Sequence, residues 1–147
     1  MNYASLIREI LDIGIHQTGI NMCFDGDIYQ LNNMQAGKFP VFVCAPTEPQ
    51  IEHEQYFEYV LTLYYIDREQ YSTNQYNNAD ISLIHSAGIQ VLSNIIKKIR
   101  KINDILDIDD VINYTCWTDT EILADKCNGV YCTIHIKVPK ETNCVSD

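Results

Sequence analysis

Tyr3, Leu6, Ile7, Ile10 and Leu11, followed by Gly14, recur at the three- and four-residue spacing that gathers side chains on one face of a helix. The spacing predicts an amphipathic helix over about residues 3–16 that ends near Gly14 or Gly19. In the stretch Cys23 to Tyr29, Asp25-Gly26 stands between apolar neighbours; because glycine tolerates positive φ, this predicts a small hairpin or tight turn. Phe39 to Pro46 is a short apolar run containing Pro40 and ending in Pro46, and prolines, lacking the amide hydrogen, fix where a strand enters and leaves.

After a Glu/Pro/Gln-rich link the period changes to two. From about Glu54 to Asp67, Phe57, Tyr59, Leu61, Leu63 and Tyr65 share one parity and predict a long strand whose face joins the core. The other parity, Tyr56, Glu58, Val60, Thr62 and Tyr64, is too apolar for open water yet not fully apolar, so that face is available to a partner. Arg68 to Asn78 has no period and reads as a projecting polar loop. Ile81, Ile84, Gly88, Val91, Leu92, Ile95, Ile99 and Ile102 then mark one face of a helix from about Asn78 to Asn103.

Ile105 to Asp110 alternates apolar and acidic residues, and Val111 to Trp117 reads as a further strand. Asn128-Gly129 supplies a turn before the last strand, in which Val130, Cys132, Ile134, Ile136 and Val138 share one parity; Pro139 ends it. Long helices separated by groups of strands predict an α+β fold: an antiparallel or mixed sheet with two main helices packed on one face. No repeat or linker divides the chain, so residues 1–147 form a single domain, with 140–147 as an extended carboxyl-terminal arm.

Composition narrows the function classes. With 46% apolar residues and only six glycines and four prolines the chain belongs among globular proteins. A formal charge of −10 repels phosphate backbones and anionic membranes, which disfavours specific nucleic-acid binding. Lys97, Lys98, Arg100 and Lys101 are the exception: either a solvated helix face favoured by the helix dipole, or a basic patch that docks onto an acidic neighbour. The charge pair Arg8-Glu9 interrupts the amino terminus before any signal-length apolar stretch, and no later run approaches a membrane span. The six cysteines lack the density of a disulfide scaffold and are expected as free thiols made in a reducing cytosol.

Candidate chemistry is sparse. Cys127, Cys132 and His135 fall short of a zinc site, since a second tight ligand pair is missing and Cys132 and His135 point to opposite faces of their strand. Asp107, Asp109 and Asp110 lack the glycine and closing glutamate of a calcium loop. His16, His53, His85 and His135 are scattered through unrelated elements with no nucleophile signature, and the glycines form no phosphate loop. No catalysis, metal or cofactor is therefore expected. Ten tyrosines suit protein interfaces or half-buried strand packing equally well; Tyr56, Tyr64, Tyr71 and Tyr76 join the basic cluster as interface candidates.

The order of pieces resembles the small tail-terminator, tail-completion and neck-ring proteins of tailed bacteriophages. The amino-terminal helix ending in Gly19-Ile20, the run Lys38 to Pro46, and the aromatic strand closing on Ile66-Asp67 carry the resemblance. So do the long helix from Ile81 with Gln90 and Ile95-Ile96, and the run Cys127 to Pro139 followed by a short tail with Asn143-Cys144. Where such relatives often carry Gly-Trp before the last strand, this chain has Gly129-Val130, and its tryptophan lies earlier, at Trp117.

The resemblance implies a virion structural protein made in the host cytoplasm: a ring of identical subunits, stacked between portal and tail against neighbouring portal, neck or tail ring proteins. Its acidic walls would let DNA pass without sticking. A ring requires a heterologous interface that closes on itself, for which the semi-apolar strand face, the loop from Arg68 to Asn78 and the tail from Lys140 to Asp147 are the raw material. Two rivals remain open, an acidic soluble binding or inhibitor module and an enzyme with a cysteine nucleophile of depressed pKa.

Overall fold

The computed structural model describes residues 1–33, 38–68, 77–119 and 127–141. Helix α1 spans Tyr3–Ile15; the Asn2 side chain caps it by accepting the Ser5 amide at 2.8 Å. Strand β1 (Met22–Asp25) leads through Gly26, at φ 128°, into a 3₁₀ turn over Ile28–Asn33 and then to β2 (Val41–Ala45). The short β3 (Ile51–Glu52) precedes the long β4 (Tyr56–Arg68), and α2 (Asn77–Ile99) follows. Strands β5 (Asp107–Ile108), β6 (Thr115–Asp119) and β7 (Cys127–Pro139) complete the chain.

Among the described residues seven strands form one mixed sheet in the order β1-β2-β4-β7-β5, with β3 paired to β4 and β6 to β7. Only β1 and β2 pair in parallel. The fold is thus α+β with both helices on one face of the sheet, as long helices separated by groups of strands predict. Two 13-residue strands, β4 and β7, form its spine, in register from Tyr56 opposite Pro139 to Arg68 opposite Cys127.

Parity decides the layers. Tyr59, Leu61, Leu63 and Tyr65 of β4 and Val130, Cys132, Ile134, Ile136 and Val138 of β7 meet Leu6, Ile7 and Ile10 of α1 and Leu92, Ile95 and Ile99 of α2 in one core. Each fully buried Leu or Ile contributes about 1.5–3 kcal/mol. Helix α1 lies close on β2 because Gly14 leaves room for the Phe42 ring, which a Cβ there would strike. Gly88 plays the same part for α2 against Val130 and Tyr65.

Of three local expectations, the first is narrowed and the other two change. Asp25-Gly26 makes a tight turn but no hairpin: the chain crosses over to pair β2 in parallel beside β1. Residues 111–114 are not strand; pairing with β7 begins at Thr115. Asn128-Gly129 is no turn and lies inside β7, opposite Asp67 and Ile66 on one side and Thr118 and Trp117 on the other. Glycine is needed there for closeness, since a Cβ would strike the Tyr65 carbonyl oxygen and lie 3.0 Å from Trp117 Nε1. The neighbouring Asn128 side chain is fully buried and has no hydrogen-bond partner among the described residues.

Arg68 is the last residue of β4 and Asn77 and Asn78 open α2, so of the polar loop only residues 69–76 lie outside the described segments, Tyr71 and Tyr76 with them. Of the expected arm, residues 142–147 lie outside. Glu141 accepts the Met1 amine at 2.8 Å, and Lys140 sits 5.3 Å over the Phe57 ring. Both therefore pack on the domain.

Candidate functional site

The second face of the sheet is closed in two places and open in a third. At the end where β4 finishes and β7 begins, Leu31, Phe39, Val41, Val43, Ile66 and Cys127 form a second apolar cluster, with Trp117 and Tyr64 against it. In the middle, the connection from β2 to β3 crosses the face and covers Val60 and Thr62, whose hydroxyl bonds both Thr47 and Thr133. Over β7 the face stays open. A groove of about 430 Å³ has Tyr131, Thr133 and His135 as floor, Glu48 on one wall, and Asp109, Val111, Asn113 and Thr115 on the other.

The groove lies where the sheet is narrowest. Strand β4 is flanked by β3 at residues 57–58 and by β2 at residues 62–66, and between them the Gln50 side chain stands in for a strand. Its Oε1 accepts the Val60 amide at 2.7 Å and its Nε2 donates to the Val60 carbonyl at 3.0 Å. On the far side β7 is flanked by β6 and β5, and there Asp109 Oδ2 accepts the His135 amide at 2.9 Å. Val60 and His135 are register partners, so both gaps fall at the same level. Each side chain satisfies a strand-edge group that would otherwise cost about 1–3 kcal/mol on burial.

Beside the groove, Glu58 joins two histidines from separate elements. Its Oε2 lies 2.8 Å from His135 Nδ1 and its Oε1 3.2 Å from His53 Nε2. A carboxylate can only accept, so both ring nitrogens donate. Hydrogen bonding from His135 first, and from His53, holds the Glu58 carboxyl below its ordinary value against the opposing effect of burial. His53 also stacks on Tyr56, ring centres 4.3 Å apart, and Lys137 lies 5.5 Å over the Tyr56 ring and 3.9 Å from Asp107. The cluster is a set of mutually satisfied groups; among the described residues no three His, Cys, Asp or Glu side chains are placed to hold a metal ion.

The sequence candidates divide accordingly. Tyr56 and Tyr64 lie half-buried on the second face; Tyr64 meets Tyr131 with ring centres 5.6 Å apart. Lys97, Lys98 and Lys101 are exposed on the helix side, with no ion pair among the described residues. Arg100 differs: its guanidinium donates to the Ile108 carbonyl at 3.4 Å and to the Asp109 carbonyl, tying the end of α2 to the groove wall.

Of the four histidines, His53 and His135 meet at Glu58, His85 donates to the Trp117 carbonyl at 3.0 Å, and His16 stays at the end of α1. Cys132 does point into the core, away from His135. Burial pushes the Cys44 and Cys132 thiols up to about 12, so both stay protonated and poorly nucleophilic at neutral pH. The roles of Glu58, Gln50 and Asp109 were not visible in the sequence, except that Glu58 sat on the parity assigned to a partner.

Fold and site together define an α+β domain with one helix-covered side and one grooved side. No protein-family model matches the chain, and no curated protein matches it either. Among the described residues no helix is long and apolar enough to cross a membrane.

Proposed function

We propose that the chain is a ring-forming structural subunit of a tailed-phage neck or tail, acting through contacts with copies of itself and with adjacent portal, neck or tail rings. The observation that carries this reading is the second sheet face. Along β7 a long, ordered strand surface with Tyr131, Thr133 and His135 is left uncovered beside Tyr56, Glu58 and Lys137, while the opposite face is filled by helices. A subunit with unlike front and back makes heterologous contacts, which close into rings when the rotation permits. The charge of −10 suits a wall along which DNA slides without adhering.

Light scattering behind a sizing column, over a range of concentration and salt, tests it. The expected result is a closed oligomer of fixed mass. A strict monomer that also binds no portal or tail component would sink the assignment. The carboxylates Glu48 and Asp109 on the groove walls favour one other reading, an acidic module that receives a basic partner. That reading predicts a monomer that captures a basic protein with one-to-one stoichiometry.

A further inference from the structure

We propose that the groove over β7 is the seat for the basic carboxyl end of α2 from a second copy of the chain. The inference rests on the ring reading for its choice of occupant and supplies the two surfaces that reading leaves unnamed. Charge complementarity selects them. The groove has Glu48 on one wall and Asp109 on the other, with Asp110 exposed beside it, and its floor is neutral or hydrogen-bonded.

The other cations of β7 and its continuation are committed within the subunit: Lys137 to Asp107 and the Tyr56 ring, Lys140 to Glu52 at 3.6 Å and the Phe57 ring. Lys97, Lys98 and Lys101 are not. They project from one end of α2, Lys97 and Lys98 in its last turn and Lys101 in the turn that follows, where its amide donates to the Lys98 carbonyl at 3.1 Å. A lysine entering the groove meets more than carboxylates, because Val111, 74% exposed on the wall, offers an apolar surface for the methylene stem.

The placement also suits a repeating contact. The lysines lie on the helix side and the groove on the other side of the sheet, so seating one copy on the next leaves a patch and a groove free at the two ends. Arg100 fixes their relation, since its guanidinium binds the Asp109 carbonyl of its own chain.

Two full-length variants test the pairing. Lys97→Glu/Lys98→Glu/Lys101→Glu reverses the patch, and Glu48→Lys/Asp110→Lys reverses the groove; all five positions are exposed, so each variant folds and circular dichroism checks that it does. Each alone now juxtaposes like charges and should self-associate at least about tenfold more weakly than the native chain. Mixed in equal amounts, the reversed patch fits the reversed groove and the native patch fits the native groove, so assembly returns. An oligomer unchanged by either reversal would overturn the docking while leaving the ring reading in place. Reversals that weaken assembly but are not rescued by mixing would also overturn it. A native chain that is monomeric yet binds a portal or tail ring would overturn self-docking alone; one that binds neither would remove both.

Discussion

At the scale of single residues, two positions show how far local chemistry is decided by distant neighbours. Gly129 looks like half of a turn signal, and Asn-Gly does favour turns, but the register of β4, β6 and β7 places it beneath Trp117 and against the Tyr65 carbonyl. Gly129→Ala should therefore destabilise the protein by about 1–3 kcal/mol, the usual cost of overpacking, measured as a lowered urea midpoint with unchanged slope. A midpoint within error of the native value would mean that the strands separate there at no cost.

Glu58 is the second position. Its folded pKa is depressed, so its stabilising contribution is complete above the ordinary glutamate value and is lost as pH falls through the folded one. Glu58→Gln should remove that part of the acid limb, making stability less dependent on pH in the mildly acid range than in the native chain. Equal slopes for the two proteins in pH-dependent urea titrations would refute the coupling. No sequence pattern marks Glu58 as a hub, because its two histidines come from a turn five residues back and from a strand 77 residues on.

At the scale of elements, period and parity made the spine legible. The alternation in β4 and β7 gave both the strands and their buried faces, and the apolar stripe of α2 gave the helix, because each of these signals is repeated many times along one segment. Pairing was less legible. That β1 lies parallel to β2 depends on a crossover of intervening chain, and the local sequence of neither strand encodes it.

The edge plugs were invisible for the same reason. Gln50 in a polar link and Asp109 in an acidic turn acquire their roles only once the strand ends leave gaps opposite Val60 and His135. Gln50→Ala leaves the Val60 amide and carbonyl without those partners and should cost about 1–3 kcal/mol, read from urea unfolding. The companion readout is hydrogen exchange: the Val60 amide should lose protection while Leu61 and Leu63 keep theirs. Loss spread evenly over β4 would assign Gln50 to the packing of the whole strand instead.

At the scale of the whole molecule, the domain is two-sided. The helix face takes most of the buried apolar side chains, which leaves the other side of the spine for mixed chemistry: an apolar cluster at one end, hydroxyls and a carboxylate with its histidines along the rest. The sequence announced this as the semi-apolar parity of β4, and announced the basic end of α2 as a charge run. It did not announce that Arg100 leaves that run to brace the groove wall, since a guanidinium's partner is fixed by the loop that returns after the helix.

The paired gaps carry a mechanical consequence. At the level of Val60 and His135 the sheet is two strands wide, held on either side by one side chain instead of a ladder. Narrow ribbons twist more readily than wide sheets. The sheet is therefore most compliant in torsion at its waist, and the carboxylates of Glu48 and Asp109 hang from the chain at this same level. Rotation of one end of the spine against the other opens or narrows the space between them, so the width of the groove and the coiling of the two long strands behave as one elastic coordinate.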